Sequence, residues 1–110
     1  MTDHVRGAAR AGPVPRPIVR AQRQLGEHLR TWRKLQSLTI AQVADRANVG
    51  VATSSRLERG EGATLENVLR VARALGVPDQ LAGAVDPYDT ALGRARADEL
   101  LPTRVRGSVT

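Results

Sequence analysis

The sequence has no cysteine and no phenylalanine, and only one tryptophan and one tyrosine among its 110 residues. The absence of cysteine excludes disulfides and thiolate metal sites. His4 and His28 lie far apart and lack the spacing of metal ligands, so neither a metal nor a cofactor is expected. With so few aromatic residues, the core must be built from leucine, valine, alanine and isoleucine, as in many small helical domains.

Other absences narrow the class of protein. There is no apolar run of 18 residues and no apolar N-terminal segment typical of a signal peptide, so no membrane association is expected and the predicted location is the cytoplasm, with the nucleoid. The sequence lacks paired carboxylates in a plausible cleft, a Ser/His/Asp arrangement and a phosphate-binding loop. We therefore expect that the protein is not an enzyme.

Charge is distributed unevenly along the chain. The formal net charge is +6, and residues 1–35 hold eight basic residues against two acidic ones, whereas the two signs nearly cancel from residue 61 onwards. The eight are Arg6, Arg10, Arg16, Arg20, Arg23, Arg30, Arg33 and Lys34. A basic half of this kind favours a polyanionic partner, most simply double-stranded DNA.

The first 17 residues contain Pro13, Pro15 and Pro17 and almost no large apolar side chains, which predicts a disordered basic arm over residues 1–17. Its arginines could reach a DNA groove, although a solvated tail is the preferred interpretation. Helical periodicity begins near Ile18. Leu25, Leu29 and Trp32 then form the apolar stripe of a first helix that ends near residues 36–37.

Two short helices are predicted next. In "LTIAQVADRANV", Thr39 and Gln42 form a capping box, and Asn48 can leave the helix in a left-handed conformation. The third helix runs from about Gly50 to Arg59 and ends at Gly60. Its expected inward residues are Val49, Thr53 or Ser54, and Leu57.

The rest of the chain predicts a fourth helix, a short fifth helix and a tail. Thr64 caps the fourth helix and Gly76 ends it. Its expected apolar face is Leu65, Val68, Leu69, Ala72 and Leu75. The fifth helix starts at Pro78, and the helical domain as a whole spans residues 18–85. The tail, residues 86–110, can form a helix between Thr90 and Leu101 that Pro102 stops, and it is a candidate partner-binding segment.

Two short helices joined by a tight turn within a bundle of five indicate a helix-turn-helix. The segment "LGEHLRTWRKLQSLTIAQVADRANVGVATSSRLERG" resembles the Cro/XRE family of DNA-binding domains, which is related to lambda-type repressors. The resemblance covers residues 23 to about 76. It is carried by Gly26, Leu29, Arg33, Leu38, Thr39, Val43, Ala44, Val49 and the closing run 56–60. It implies an all-α, compact five-helix domain flanked by a flexible arm and a tail.

The resemblance also implies a DNA-reading surface. The base-reading positions of the family fall on Val51, Ala52 and Arg56, with Gly50, Thr53 and Ser55 beside them and Arg59 near the phosphates. Short side chains let a helix enter the major groove deeply, and Arg56 is long enough to reach a guanine edge. Many relatives have Gln after the capping Thr39, where this chain has Ile40. Either that phosphate contact is lost, or Gln42 supplies it.

The resemblance further implies that Arg33 of the first helix pairs with Glu58 as a structural brace. The predicted function is a sequence-specific transcriptional regulator, most simply a repressor that binds a palindromic operator as a homodimer. Expected dimer surfaces are Leu81 and Val85 of the fifth helix, and Leu92, Leu100 and Leu101 of the tail. Two alternatives stay open. One is an antitoxin that binds its operator and a Hip-type kinase toxin, which the order of the C-terminal segments resembles. The other is a protein-interaction module that has lost DNA binding.

Overall fold

The computed structural model of the protein describes residues 12–101, and all regular structure in this range is helical. The helices are α1 (Arg16–Leu35), α2 (Ile40–Ala47), α3 (Val51–Glu58), α4 (Leu65–Ala74), α5 (Pro78–Gly83) and α6 (Ala91–Leu100), with a 3₁₀ turn at Pro87–Asp89 before α6. The chain divides into two compact units, one ending at Pro78 and the other beginning at Asp79. The predicted all-α fold is therefore confirmed for the described residues. Most of the predicted N-terminal arm and the end of the predicted tail lie outside the described residues.

Local sequence signals account for the helix ends. Pro15 precedes α1, which begins at Arg16 and so takes in the last two residues of the predicted arm. Thr64 caps α4 by accepting a hydrogen bond from the Asn67 backbone N–H at 3.1 Å. Gly76 follows α4 with a φ of 83°, a conformation that favours glycine.

The core of the first unit lies where α1, α2, α3 and α4 meet. α2 packs against both α3 and α4, and α1 packs against α3. The buried apolar residues of this unit are Leu29, Val43, Ala44, Ala47, Leu57, Val71, Ala72, Leu75 and Val77. Gln36 also joins α1 to the end of α4, because its side-chain amide donates to the Leu75 carbonyl at 2.8 Å.

The apolar faces predicted for α1 and α4 are partly wrong. Trp32 is 40% exposed, because the buried stripe of α1 passes through Gly26 and Leu29 and leaves the ring at its edge. On α4 the buried stripe contains Val71 and Ala72. Leu65 and Leu69 lie beside that stripe and are 72% and 37% exposed.

Glycine allows α1 and α3 to cross closely. A Cβ atom added to Gly26 would lie 2.5 Å from the backbone oxygens of both Leu57 and Glu58. Gly60 has a φ of 74°, and a Cβ there would lie 2.7 Å from the Cα of Arg23. The end of α3 is therefore pressed against α1, with no room for a side chain at either glycine.

The second unit is small and is held by hydrogen bonds around the 3₁₀ turn. Asp86 accepts from the Tyr88 backbone N–H at 2.9 Å, and Thr90 caps α6 by accepting from the Gly93 backbone N–H at 2.9 Å. Arg94 donates to the Tyr88 carbonyl at 2.6 Å. The predicted tail helix is thus present, with Thr90 as its cap. Of the apolar residues expected at a dimer contact, Leu81 is half-buried and Val85, Leu92, Leu100 and Leu101 are exposed.

Candidate nucleic-acid interface

The N-terminus of α2 is closed by the predicted capping box. The Thr39 hydroxyl accepts from the Gln42 backbone N–H at 3.1 Å, and the Thr39 backbone N–H donates to Gln42 Oε1 at 2.8 Å. Only the carbonyl oxygen of the Gln42 amide is used in this exchange. Its Nε2 group has no partner among residues 12–101 and can donate outward, as the proposed phosphate contact requires.

A three-residue turn then redirects the chain into α3. Asn48 adopts the left-handed conformation with φ 58° and ψ 47°, as predicted, and the Val49 backbone N–H donates to the Ala44 carbonyl at 3.0 Å. Gly50 is the N-cap residue of α3 and has an extended backbone with no side-chain cap. A Cβ atom there would meet only the Thr53 hydroxyl, at 3.8 Å. Gly50 therefore leaves the first backbone N–H groups of α3 without a side-chain cap. The backbone geometry at this position does not itself require glycine.

The outer face of α3 is made of short side chains. Val51 and Ala52 are exposed, and Thr53 and Ser55 are half-buried. On the inner face, Ser54 and Leu57 are buried. The sequence did not decide whether Thr53 or Ser54 points inward. In the structure it is Ser54 that is buried. Leu57 is the apolar anchor that holds this face outward.

Arg56 extends from the exposed side of α3 with little to restrain it. Its only described hydrogen bond runs from Nη2 to the Thr53 hydroxyl and is 3.5 Å long, at the limit for such a contact. The guanidinium is therefore available for a forked pair of hydrogen bonds with an external acceptor.

Arg59, directly after α3, is held by its neighbours. Its guanidinium donates to the Glu61 carboxylate at 2.9 and 3.2 Å and to the Ser55 hydroxyl at 2.6 Å. Hydrogen bonding to Glu61 raises the pKa of Arg59, and the same bond lowers the pKa of Glu61, with a smaller contribution from the charge of Arg56. The carboxylate is thus ionised at neutral pH. The sequence analysis did not predict this pair. An acidic residue two positions after the arginine that ends a helix is the pattern that could have indicated it.

Arg33 and Glu58 form a partly buried brace behind α3. The pair is bidentate, with Arg33 Nε 2.6 Å and Nη2 3.1 Å from the two carboxylate oxygens, and the side chains are only 12% and 10% exposed. Arg33 Nη1 also donates to the Leu38 carbonyl at 2.9 Å. Hydrogen bonding to Glu58 raises the pKa of Arg33. The pairing expected from the sequence is confirmed, and it ties α1, the segment before α2 and the end of α3 together.

Basic residues continue along one face of α1. Arg16, Arg20 and Arg23 follow one another at helical spacing and line a shallow depression with Val19, Gln24 and Glu27. Arg30 lies beside Ser55 and Arg59 in a second, smaller depression. None of these four arginines forms an ion pair with another described residue. Among the described residues of this half of the chain, the positive charge of these four arginines is therefore uncompensated by an ion pair.

The described residues contain no group of three or more histidine or acidic side chains placed to hold a metal ion. In the same range, no helix is both long enough and apolar enough to cross a membrane.

Comparison with known proteins agrees with this geometry. A family model described as a helix-turn-helix domain, of the Cro/XRE-like type, matches residues 24–85. The match spans α2, the turn and α3, together with the brace between Arg33 and Glu58. No curated protein and no solved structure matches the chain.

Proposed function

Because the chain belongs to the Cro/XRE-like helix-turn-helix family over residues 24–85, we propose that it is a sequence-specific DNA-binding regulator of transcription. In this proposal α3 enters the major groove. Val51 and Ala52 contact bases through apolar surfaces such as the thymine methyl group, and Arg56 pairs with a guanine. Gly50, Thr53 and Ser55 border the bases, and Thr39, Gln42 and Arg59 face the phosphates.

The observation that carries the proposal is the contrast between the two sides of α3. Its outer side carries short side chains and one unrestrained arginine, while Leu57 and the Arg33–Glu58 pair fix its inner side. A helix held in this way presents its outer groups at a fixed orientation, which base recognition in a groove requires. The arginines of α1 that lack an ion-pair partner among the described residues favour a polyanionic partner such as DNA.

We further propose that the regulator acts as a repressor on a palindromic operator. Two apolar reading residues and one arginine distinguish few sequences, so two half-sites about 34 Å apart, bound by two copies, would supply the missing discrimination. A regulator of this kind acts on the chromosome, so the proposal includes a location in the cytoplasm, with the nucleoid.

An antitoxin role is the second candidate, and the unit from residue 79 to 101 favours it. A groove of about 500 Å³ in this unit is lined mainly by apolar groups, including Pro87, Ala97, Leu100 and Leu101. Such a surface suits a protein partner, and a Hip-type kinase toxin is the partner proposed from the order of the segments. Co-purification with the product of a neighbouring gene tests this candidate separately from DNA binding.

The test of DNA binding is selection of duplexes from a random pool, followed by titration of the selected duplex and a scrambled one. At physiological salt, specific binding should exceed nonspecific binding by about 10³-fold or more. Ala52→Glu adds a carboxylate to the outer side of α3 and should abolish binding. Ala95→Glu makes the same change at an exposed alanine of α6 and should not. Failure to select any duplex, or equally weak binding of the two duplexes, would support the module that has lost DNA binding. Normal binding by Ala52→Glu would show that α3 does not enter the groove.

A further inference from the structure

Four arginines form a stripe along one side of α1. Arg16, Arg20, Arg23 and Arg30 are spaced by four, three and seven residues, which places them on the same face of the helix. All four side chains are exposed, and none forms an ion pair with another described residue. Glu27 lies on the same face and likewise forms no ion pair within the described range. We call the four arginines the α1 stripe.

The positive charge of the stripe does not help α1 to fold. Like charges three and four residues apart on a helix repel one another. The first turn of α1 contains Arg16 and no acidic residue, although the helix dipole favours acidic side chains at this end. The stripe therefore destabilises the free helix, and a bound anion would relieve the repulsion.

The stripe is fixed in position relative to α3. Arg30 borders the same depression as Ser55 and Arg59, at the edge of the side that is proposed to face DNA. Arg23 lies where the end of α3 is pressed against α1, since a Cβ atom at Gly60 would be 2.7 Å from the Arg23 Cα. The stripe therefore continues the positive charge beside α3 along a helix whose placement is set by close packing.

We propose that the α1 stripe binds phosphates of duplex DNA beside the base pairs that α3 reads. The inference rests on the proposed function and extends the contact beyond the half-site. Arginine suits this role because its planar guanidinium forms paired hydrogen bonds with phosphate oxygens. The match to the helix-turn-helix family begins at residue 24, so Arg16, Arg20 and Arg23 lie outside it.

The length of the stripe sets the extent of the contact. From Arg30 to Arg16 it is about 21 Å long, which corresponds to about six base pairs of duplex. A straight helix follows a curved duplex over only part of its length, so about two phosphate contacts per copy are expected from the stripe. Such contacts carry no sequence information, so they should raise affinity for every sequence alike.

The salt dependence of binding gives the expected size of the effect. Two phosphate contacts steepen the slope of log affinity against log salt by about 1.8, because each contact releases counterions. Between about 50 and 200 mM salt, affinity should therefore fall roughly tenfold more with the stripe than without it.

The experiment removes the charge from the protein and from the DNA in turn. The triple variant Arg16→Gln, Arg20→Gln and Arg23→Gln is compared with wild type on a duplex that carries one half-site between two flanks of eight base pairs. A second duplex has the same sequence, with uncharged methylphosphonate linkages in both flanks. Wild type should bind the fully charged duplex about tenfold more tightly at low salt. The triple variant should bind the two duplexes about equally.

A matched control loses the same charge from other helices. Arg70→Gln, Arg73→Gln and Arg96→Gln change three exposed arginines of α4 and α6, and this variant should respond to the charged flanks as wild type does. Glutamine is about as good a helix former as arginine, so both variants should fold, which circular dichroism checks. If the stripe variant responds as wild type does, or the control loses the response equally, the proposal is wrong.

Failure of the proposed function is separable from failure of this inference. If wild type does not discriminate between duplexes, the proposed function fails, and the inference is then tested on an arbitrary duplex at low salt. Wild type should still bind that duplex more tightly than the stripe variant, with a salt slope steeper by about 1.8. Equal slopes would overturn the phosphate contact. If wild type is sequence-specific and the slopes are equal, only the inference about the stripe fails.

Discussion

Arg56 and Arg59 lie less than one helical turn apart, yet their electrostatic surroundings differ. Arg56 has one long hydrogen bond to Thr53, whereas Arg59 is held by a carboxylate and a hydroxyl at 2.6–3.2 Å. A guanidinium that is free can form a forked pair with a guanine without losing another bond. One that is already paired must exchange Glu61 for a phosphate, so the two arginines should contribute differently to affinity and specificity.

Glu61 is therefore expected to weaken binding to every DNA sequence. Glu61→Gln removes the anion that competes with phosphate for Arg59. Affinity should then rise by a similar factor on specific and nonspecific duplexes, with the salt slope steeper by about 1 per half-site. The measurement is a titration at several salt concentrations. Glu99→Gln, which breaks the exposed pair with Arg96 on α6, is the matched control and should change neither quantity. Unchanged affinity in Glu61→Gln would mean that Arg59 does not face the phosphates.

At the scale of elements, the position of α3 depends on its contact with α1. The Arg33–Glu58 pair and the close approach at Gly26 act at the same crossing, one through charge and the other through the absence of a side chain. Together they fix the angle at which the outer side of α3 is presented.

Arg33→Ala and Glu58→Ala should each lower the stability of the fold. The pair is partly buried, so removal of one partner leaves the other charge unpaired at a cost on the order of 3 kcal/mol. A double replacement by size-matched apolar residues should be milder than either single change. Denaturant unfolding followed by circular dichroism measures both. A free energy of unfolding identical to that of wild type in both single variants would contradict the brace. The sequence preference of the variants on DNA should hardly change.

Gly26→Ala tests the crossing directly. The new methyl group would meet backbone oxygens that cannot move as a flexible side chain can, so the variant should lose stability by about 1–3 kcal/mol or more through overpacking. Gly83→Ala, in α5, has nothing within 4 Å of the added Cβ and should be nearly neutral. Equal stability of the two variants would show that α1 and α3 do not approach as closely as described.

The sequence predicts the elements better than it predicts which faces they bury. The capping box at Thr39, the left-handed Asn48 and the cap at Thr64 are local signals, and each predicted a helix end that the structure has. The exposure of Leu65 and Trp32 depends on which neighbouring helix lies against each face, and periodicity carries no such information. The Arg59–Glu61 pair depends on the path of the chain after α3, which residue spacing alone does not determine.

At the scale of the whole molecule, positive charge and α3 belong to the same unit. Four arginines of α1 have no ion-pair partner among residues 12–101, and they lie in the same unit as the outer side of α3, the unit that ends at Pro78. The apolar groove lined by Leu100 and Leu101 lies in the second unit. This distribution favours a division of roles, in which the first unit binds DNA and the second offers an apolar surface to a protein partner.

Binding should accordingly depend strongly on salt. If two copies make about six phosphate contacts in total, the slope of log affinity against log salt should be near −5. Titrations from low to physiological salt provide the value. A slope near −1 would show that the basic half of the chain does not face the DNA.

The central claim is that α3 reads bases through Arg56, and a cycle of protein and DNA substitutions tests it most directly. Wild type and Arg56→Ala are titrated against the selected operator and against duplexes in which each guanine in turn is replaced. One replacement should cost wild type about 1–3 kcal/mol per half-site and cost Arg56→Ala almost nothing, because the forked contact is already lost. Folding should be unaffected, since Arg56 is exposed. If Arg56→Ala instead loses affinity equally on every duplex and still discriminates against each replacement, Arg56 contacts the backbone and the assignment of base reading to it is wrong.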